Sequence, residues 1–156
     1  QRHTRRIPTD AEMASLFDYL SGPTAAREAG LAGPCRALAY RVAMATGFRE
    51  KETRMLTRDS FDLERGTATC RAAYDKRRRQ VVQPLPSWLV AELRDWFGGG
   101  GACWTLAGKR ARLGYALKAD LAACGIARTA CARDADRRCS GAMRRAGSPR
   151  RRDRSA

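Results

Sequence analysis

Residues 45–63 read ATGFREKETRMLTRDSFDL, and the fold turns on what the chain does at the glycine near their start. The stretch leading into that glycine, CRALAYRVAMAT from Cys35, is rich in helix formers and carries Leu38, Val42 and Ala45 along one side. Gly47 then stands where a helix ends in a left-handed cap. Beyond it, FREKETRML holds too few breakers for a long loop. A short helix is expected from about Glu50, with Phe48 and Arg49 at the junction. From SFDL onward the pattern changes from helical to strand period, so the chain crosses here into a sheet.

Working downstream, the turn ERG leads into TATCRA, whose alternation and β-branched threonines suit a half-buried strand. A short polar connection, AYDKRRR, then reaches QVVQPL, a second such strand ending at a proline. These segments predict a small antiparallel sheet of two or three strands, with Lys76, Arg77, Arg78 and Arg79 at or beside a hairpin turn. Ser87 is the expected cap of WLVAELRDWF, with Leu89, Leu93, Trp96 and Phe97 on its buried face and Trp88 grouped with Trp96 and Phe97 as core anchors. The four glycines from Gly98 to Gly101 must end that helix. A further helix, about residues 109–124, sets Leu113, Leu117 and Leu121 in register before a capping Gly125. Upstream, TDAE (Thr9 to Glu12) has the form of a capping box ahead of Met13, Leu16, Phe17 and Leu20, and the turn-rich SGPTAAREAGLAGP connects this helix to the next. The expected class is α+β, mainly helical, with one small antiparallel sheet.

Composition narrows the function. The 156 residues suffice for one domain, and 31 Lys and Arg against 16 Asp and Glu leave a net charge of +15, which favours a polyanionic partner. No apolar run is long enough to cross a membrane, and the beginning, QRHTRRIPTD, has no apolar segment of the signal-peptide kind. The expectation is a cytoplasmic protein with reduced thiols and no membrane association. The six cysteines, at 35, 70, 103, 124, 131 and 139, form no C-x-x-C pair and the one histidine is His3, so no metal site is expected. After Ile126 the chain changes character: residues 127–156 contain no Leu, Ile, Val or aromatic residue, and ten arginines against three aspartates leave +7 there. No core can be built from such a segment. The organisation read from the sequence is therefore a folded part, residues 1–126, and a basic tail, residues 127–156, expected to be disordered or the product of a frame shift.

The order of these elements resembles the catalytic domain of the tyrosine recombinases, the phage integrase family. The family's Thr-Gly-x-Arg-x-x-Glu pattern is matched by Thr46, Gly47, Arg49 and Glu52; LTRDSFDL is similar to its approach to the first strand; and PLP at residues 84–86 resembles the end of its hairpin. The resemblance covers about residues 7–126. It implies that Arg49 clamps the scissile phosphate, that Lys76 on the hairpin is the general acid, and that Glu52 orients the guanidinium of Arg49. Elementary chemistry agrees with that division. A planar, permanently charged guanidinium grips two phosphate oxygens but hardly gives up a proton near neutrality, whereas an ammonium can protonate a leaving alkoxide. Lys76 is one of only four lysines among 31 basic residues. Arg77, Arg78 and Arg79 are expected to hold backbone phosphates without reading sequence. The implied partner is double-stranded DNA, with self-association on it, and the implied reaction, strand breakage and rejoining in DNA integration and recombination, needs no cofactor.

The family's later elements have no counterpart. A His-x-x-Arg clamp and a tyrosine nucleophile should follow residue 126, yet the tail has neither histidine nor tyrosine, and Tyr115 comes too early. The tail is accordingly expected to be an out-of-frame or degenerate translation, and the chain to be truncated and inactive in cleavage on its own. Two alternatives stand beside the recombinase reading: a non-enzymatic basic module that binds nucleic acid through phosphates, and a remnant fold with no function of its own.

Overall fold

The computed structural model describes residues 6–25, 30–73, 79–102 and 112–127. Residues 9–126 form one compact unit, built from five helices and a three-stranded sheet among the described residues: α1 (Asp10–Ser21), α2 (Gly33–Thr46), α3 (Glu50–Arg54), β1 (Phe61–Asp62), β2 (Thr67–Cys70), β3 (Val81–Pro84), α4 (Ser87–Gly98) and α5 (Leu113–Ala123). The architecture is α+β and mainly helical. No helix among the described residues is long and apolar enough to cross a membrane.

The α1 helix starts as its sequence dictates. Glu12 donates its backbone N–H to the Thr9 hydroxyl at 3.3 Å, and the Glu12 carboxylate accepts the Thr9 N–H at 2.8 Å, so two otherwise orphaned amides are satisfied reciprocally. Leu16 and Leu20 are fully buried, and Met13 and Phe17 pack beside them. The helix leans directly on α2: a Cβ at Gly33 would come within 2.2 Å of the Leu20 carbonyl oxygen and 2.7 Å of the Ala25 Cβ. Only glycine permits that approach.

At the centre lies α2, in contact with α1, α3 and α4. Its buried residues, Cys35, Ala37, Leu38, Ala39, Tyr40 and Val42 among them, run nearly all round it, wider than the single side expected from Leu38, Val42 and Ala45. A helix packed on several sides loses its amphipathic signature. Arg36 lies in this core as well, fully buried. Its Nε and Nη2 donate to the two carboxylate oxygens of Asp120 on α5, at 2.9 and 2.8 Å, and its Nη1 donates to the Leu31 carbonyl at 2.6 Å. The Tyr40 hydroxyl donates to the same carboxylate at 2.9 Å. Every oxygen of Asp120 and all three nitrogens of the guanidinium are thus engaged, the condition under which a buried charge pair is tolerated. Burial first, and the Asp120 carboxylate second, push the Tyr40 phenol pKa upward.

The sheet is antiparallel in the order β1-β2-β3, with Phe61 opposite Ala68 and Gln83 opposite Ala68 on the other side. Ala68 and Cys70 point into the core, which α4 closes with Leu89, Val90 and Leu93. Two expectations for α4 are corrected. Ser87 is the first helical residue, not the cap; Pro86 occupies the cap position and no side chain caps the helix, in keeping with proline's preset φ at a helix start. Trp88 is 54% exposed, not a core anchor, because it follows the turn from β3 on the outer side of the first helical turn, whereas Trp96 and Phe97 pack against the core. Strand β2 also stops at Cys70, short of the TATCRA expected. The final helix begins at Leu113 rather than near residue 109, with residues 103–111 outside the described set. Cys35 and Cys70 are buried free thiols, as expected of small core residues.

Candidate nucleic-acid interface

The residues around Arg49 are fixed by their own short-range chemistry. The Thr46 hydroxyl donates back to the Val42 carbonyl at 2.7 Å and accepts the Phe48 N–H at 3.3 Å, bridging the end of α2 to the next segment. Gly47 adopts φ 68°, the left-handed cap its position required. Phe48 drops into the core, and the hydroxyl of fully buried Thr53 donates to its carbonyl at 3.4 Å. With its neighbour anchored inward, Arg49 is turned outward at the start of α3, its side chain 63% exposed.

Glu52 holds this arginine twice. Its Oε2 accepts the Arg49 backbone N–H at 2.8 Å, and its Oε1 accepts from the Arg49 Nη1 at 3.2 Å. The carboxylate itself is 10% exposed, so the pair presents a cation to solvent above a nearly buried acid. The Thr-Gly-x-Arg-x-x-Glu spacing is what allows both contacts: residue 52 is the third of the helix that residue 49 begins, within reach of the first amide and of the side chain. The adjacent residue faces elsewhere. Glu50 accepts the N–H of Gly114, in the first turn of α5, at 3.2 Å, a carboxylate at the positive end of a helix. The Arg49 segment is therefore tied to α2 through Thr46, to the core through Phe48 and to α5 through Glu50.

Beside Arg49 opens a cleft of about 590 Å³, lined by Gly47, Phe48, Arg49 and Glu52 on one side and by Arg79, Gln80, Val81, Val82 and Gln83 on the other. The structure thus brings three of the six sequence-predicted site residues, Arg49, Glu52 and Arg79, to one concavity. Lys76, Arg77 and Arg78 lie outside the described residues. Four lining residues went unnoticed in the sequence: Gln80, Val81, Val82 and Gln83. The signal that could have found them is simple adjacency, since a strand leaving a basic hairpin must border whatever the hairpin overhangs.

Chemically the cleft is equipped to hold an anion. Two guanidinium groups supply fixed charge and forked donors, and one acid restrains the first of them. Among the described residues that line it, none is a Ser, Thr, Cys, Tyr or His. The Cys124 thiol, which contacts the Ser15 carbonyl, has its pKa raised by burial and then by Asp120, which disfavours the thiolate. No family model matches the sequence, and neither the curated proteins nor the solved structures give a match to it.

Proposed function

We propose that this chain binds duplex DNA as the N-terminal part of a tyrosine recombinase catalytic domain. Arg49 grips the scissile phosphate, Glu52 fixes the plane of its guanidinium, Lys76 is the amine that protonates the leaving oxygen, and Arg77, Arg78 and Arg79 hold neighbouring phosphates. The observation that carries the reading is the cleft in which Arg49 and Glu52, from the start of α3, meet Arg79 and β3. Convergence of distant basic residues on one concavity is the arrangement phosphate recognition needs. The net charge of +15 supports the choice of a polyanion. In this reading the chain binds but does not cut, because it has neither the second clamp nor the tyrosine that the family uses.

The test is a comparison of single alanine variants in binding to a short duplex. Arg49→Ala should weaken binding more than Arg77→Ala, Arg78→Ala or Arg79→Ala does, and no phosphotyrosyl adduct should form on a nicked suicide substrate. Equal losses at all four arginines would favour the second reading, a non-enzymatic basic module held by charge alone, which the +15 also supports. Absence of saturable binding would leave neither.

A further inference from the structure

One wall of the cleft is a strand, and its main-chain groups count as well as its side chains. Among the described residues strand β3 is bonded to β2 alone, and its consecutive residues Val81, Val82 and Gln83 line the cavity. The direction of each main-chain group follows from the register. Leu85 donates its N–H to the Gly66 carbonyl at 2.7 Å, so it belongs to a hydrogen-bonded pair. Opposed residues in an antiparallel ladder alternate between bonded and non-bonded pairs. Gln83 and Val81 therefore bond to Ala68 and Cys70, their register partners, while Val82 and Pro84 aim their main-chain groups away from β2. Pro84 has no N–H to aim, which is why a proline is tolerated there. Val82 thus supplies the one outward amide donor within β3, and it has no hydrogen-bond partner among the described residues.

From this we infer that the Val82 amide is a ligand of the anion in the cleft: it donates to a nonbridging oxygen of a nucleic-acid backbone phosphate held by Arg49. The inference rests on the proposed function for the identity of the ligand. Its own basis is the edge geometry combined with charge. An added peptide strand would need alternating donors and acceptors along the edge, and Pro84 removes one of the two outward donors that β3 could offer. A phosphate oxygen needs only one donor from this wall, and the guanidinium groups of Arg49 and Arg79 supply the opposite charge. A main-chain amide on a sheet is also prepositioned, so it loses no rotamer freedom on binding.

The chemistry separates this amide from the arginines in one experiment. The full chain is titrated with a short fluorescein-labelled duplex over a range of salt concentrations, as wild type, Arg49→Ala, Val82→Ala and Val82→Pro. Losing a charged contact should make the slope of log K against log salt shallower by about 0.9. Losing a neutral amide that bonds to an anion should lower affinity by about tenfold at every salt concentration and leave the slope unchanged. The expected result is that Arg49→Ala changes affinity and slope, Val82→Pro changes affinity alone, and Val82→Ala, which keeps the amide, loses far less affinity than Val82→Pro. Because the Val82 N–H is outside the ladder, Val82→Pro should keep its thermal transition, whereas Gln83→Pro should lose much of it. If Val82→Pro does not fold, the 2-hydroxy acid analogue of valine at this position replaces the N–H by oxygen and takes its place in the titration. Equal binding by Val82→Pro and Val82→Ala, with Arg49→Ala still weakened, would overturn the inference and leave the DNA reading intact. Wild-type binding by Arg49→Ala would overturn both. Tighter capture of an extended acidic peptide than of the duplex, lost in Val82→Pro, would overturn the phosphate assignment in favour of strand addition.

Discussion

Two arginines of this molecule are each paired with a carboxylate, and they show how differently one pair of groups can be used. Arg36 and Asp120 are 0% and 1% exposed and join α2 to α5 across 84 positions of sequence. Arg49 and Glu52 are three residues apart, and the arginine side chain is 63% exposed. In the first pair both ions left water, so the pair is stable only because Leu31 and Tyr40 complete its hydrogen bonds. In the second only the acid is nearly buried, and the cation keeps most of its hydration. The buried pair ties helices together; the exposed one offers a charge to something outside. Placement, not residue type, separates structure from binding.

The largest expected effect comes from breaking the interior pair on one side. Asp120→Ala leaves a guanidinium without its counter-ion in the core and should cost about 3–5 kcal/mol in urea unfolding. Replacing Arg36, Tyr40 and Asp120 together by Met, Phe and Leu should cost less than that single change, because no uncompensated charge is left behind. A smaller effect is expected at the third member. Tyr40→Phe removes a hydrogen bond to a carboxylate, worth about 1.5–3 kcal/mol, and also changes the alkaline limb of stability. The folded state retains the Tyr40 proton where an unfolded tyrosine loses it, near pH 10; the unfolded state then binds fewer protons, and stability falls as pH rises past that point. The contribution of this one residue is about 1.4 kcal/mol per pH unit, so the wild type should lose stability more steeply above pH 10 than Tyr40→Phe does. The smallest effect belongs to the exterior pair. Arg49→Ala should alter unfolding free energy by no more than about 0.5–1 kcal/mol. A stability loss at Arg49 comparable to that at Asp120 would erase the distinction between the two pairs.

How much of this was legible before the fold was known depends on the range of the interaction concerned. The Thr9–Glu12 capping box, the Gly47 cap and the short helix at Glu50 rest on contacts within a few residues, and each stands where the sequence puts it; the paired strands β2 and β3 were legible from their alternation, though β2 ends at Cys70, short of the stretch expected. The Arg49–Glu52 contact was legible for the same reason. The Arg36–Asp120 pair was not, since α2 also carries Arg41 and α5 also carries Lys118, and nothing local says which distant acid meets which base. The run CRALAYRVAMAT holds two arginines, Arg36 and Arg41, and does not say which of them is buried. The placement of Trp88 failed through a half-turn error: with Pro86 as the cap, the first turn presents its side chain outward. The cleft wall at Val82 depends on which edge of a three-stranded sheet is left open, a property of the assembled sheet that no single segment encodes.

The contact at Gly33 carries a consequence for how this sequence can change over generations. Any other amino acid there must drive its first carbon into the Leu20 carbonyl, prying apart two neighbouring rods on which the hydrophobic interior depends. Gly98, by comparison, has open space around it. Descent with modification is therefore free to rewrite the second glycine codon, while at the first nearly every mutation is a dead end.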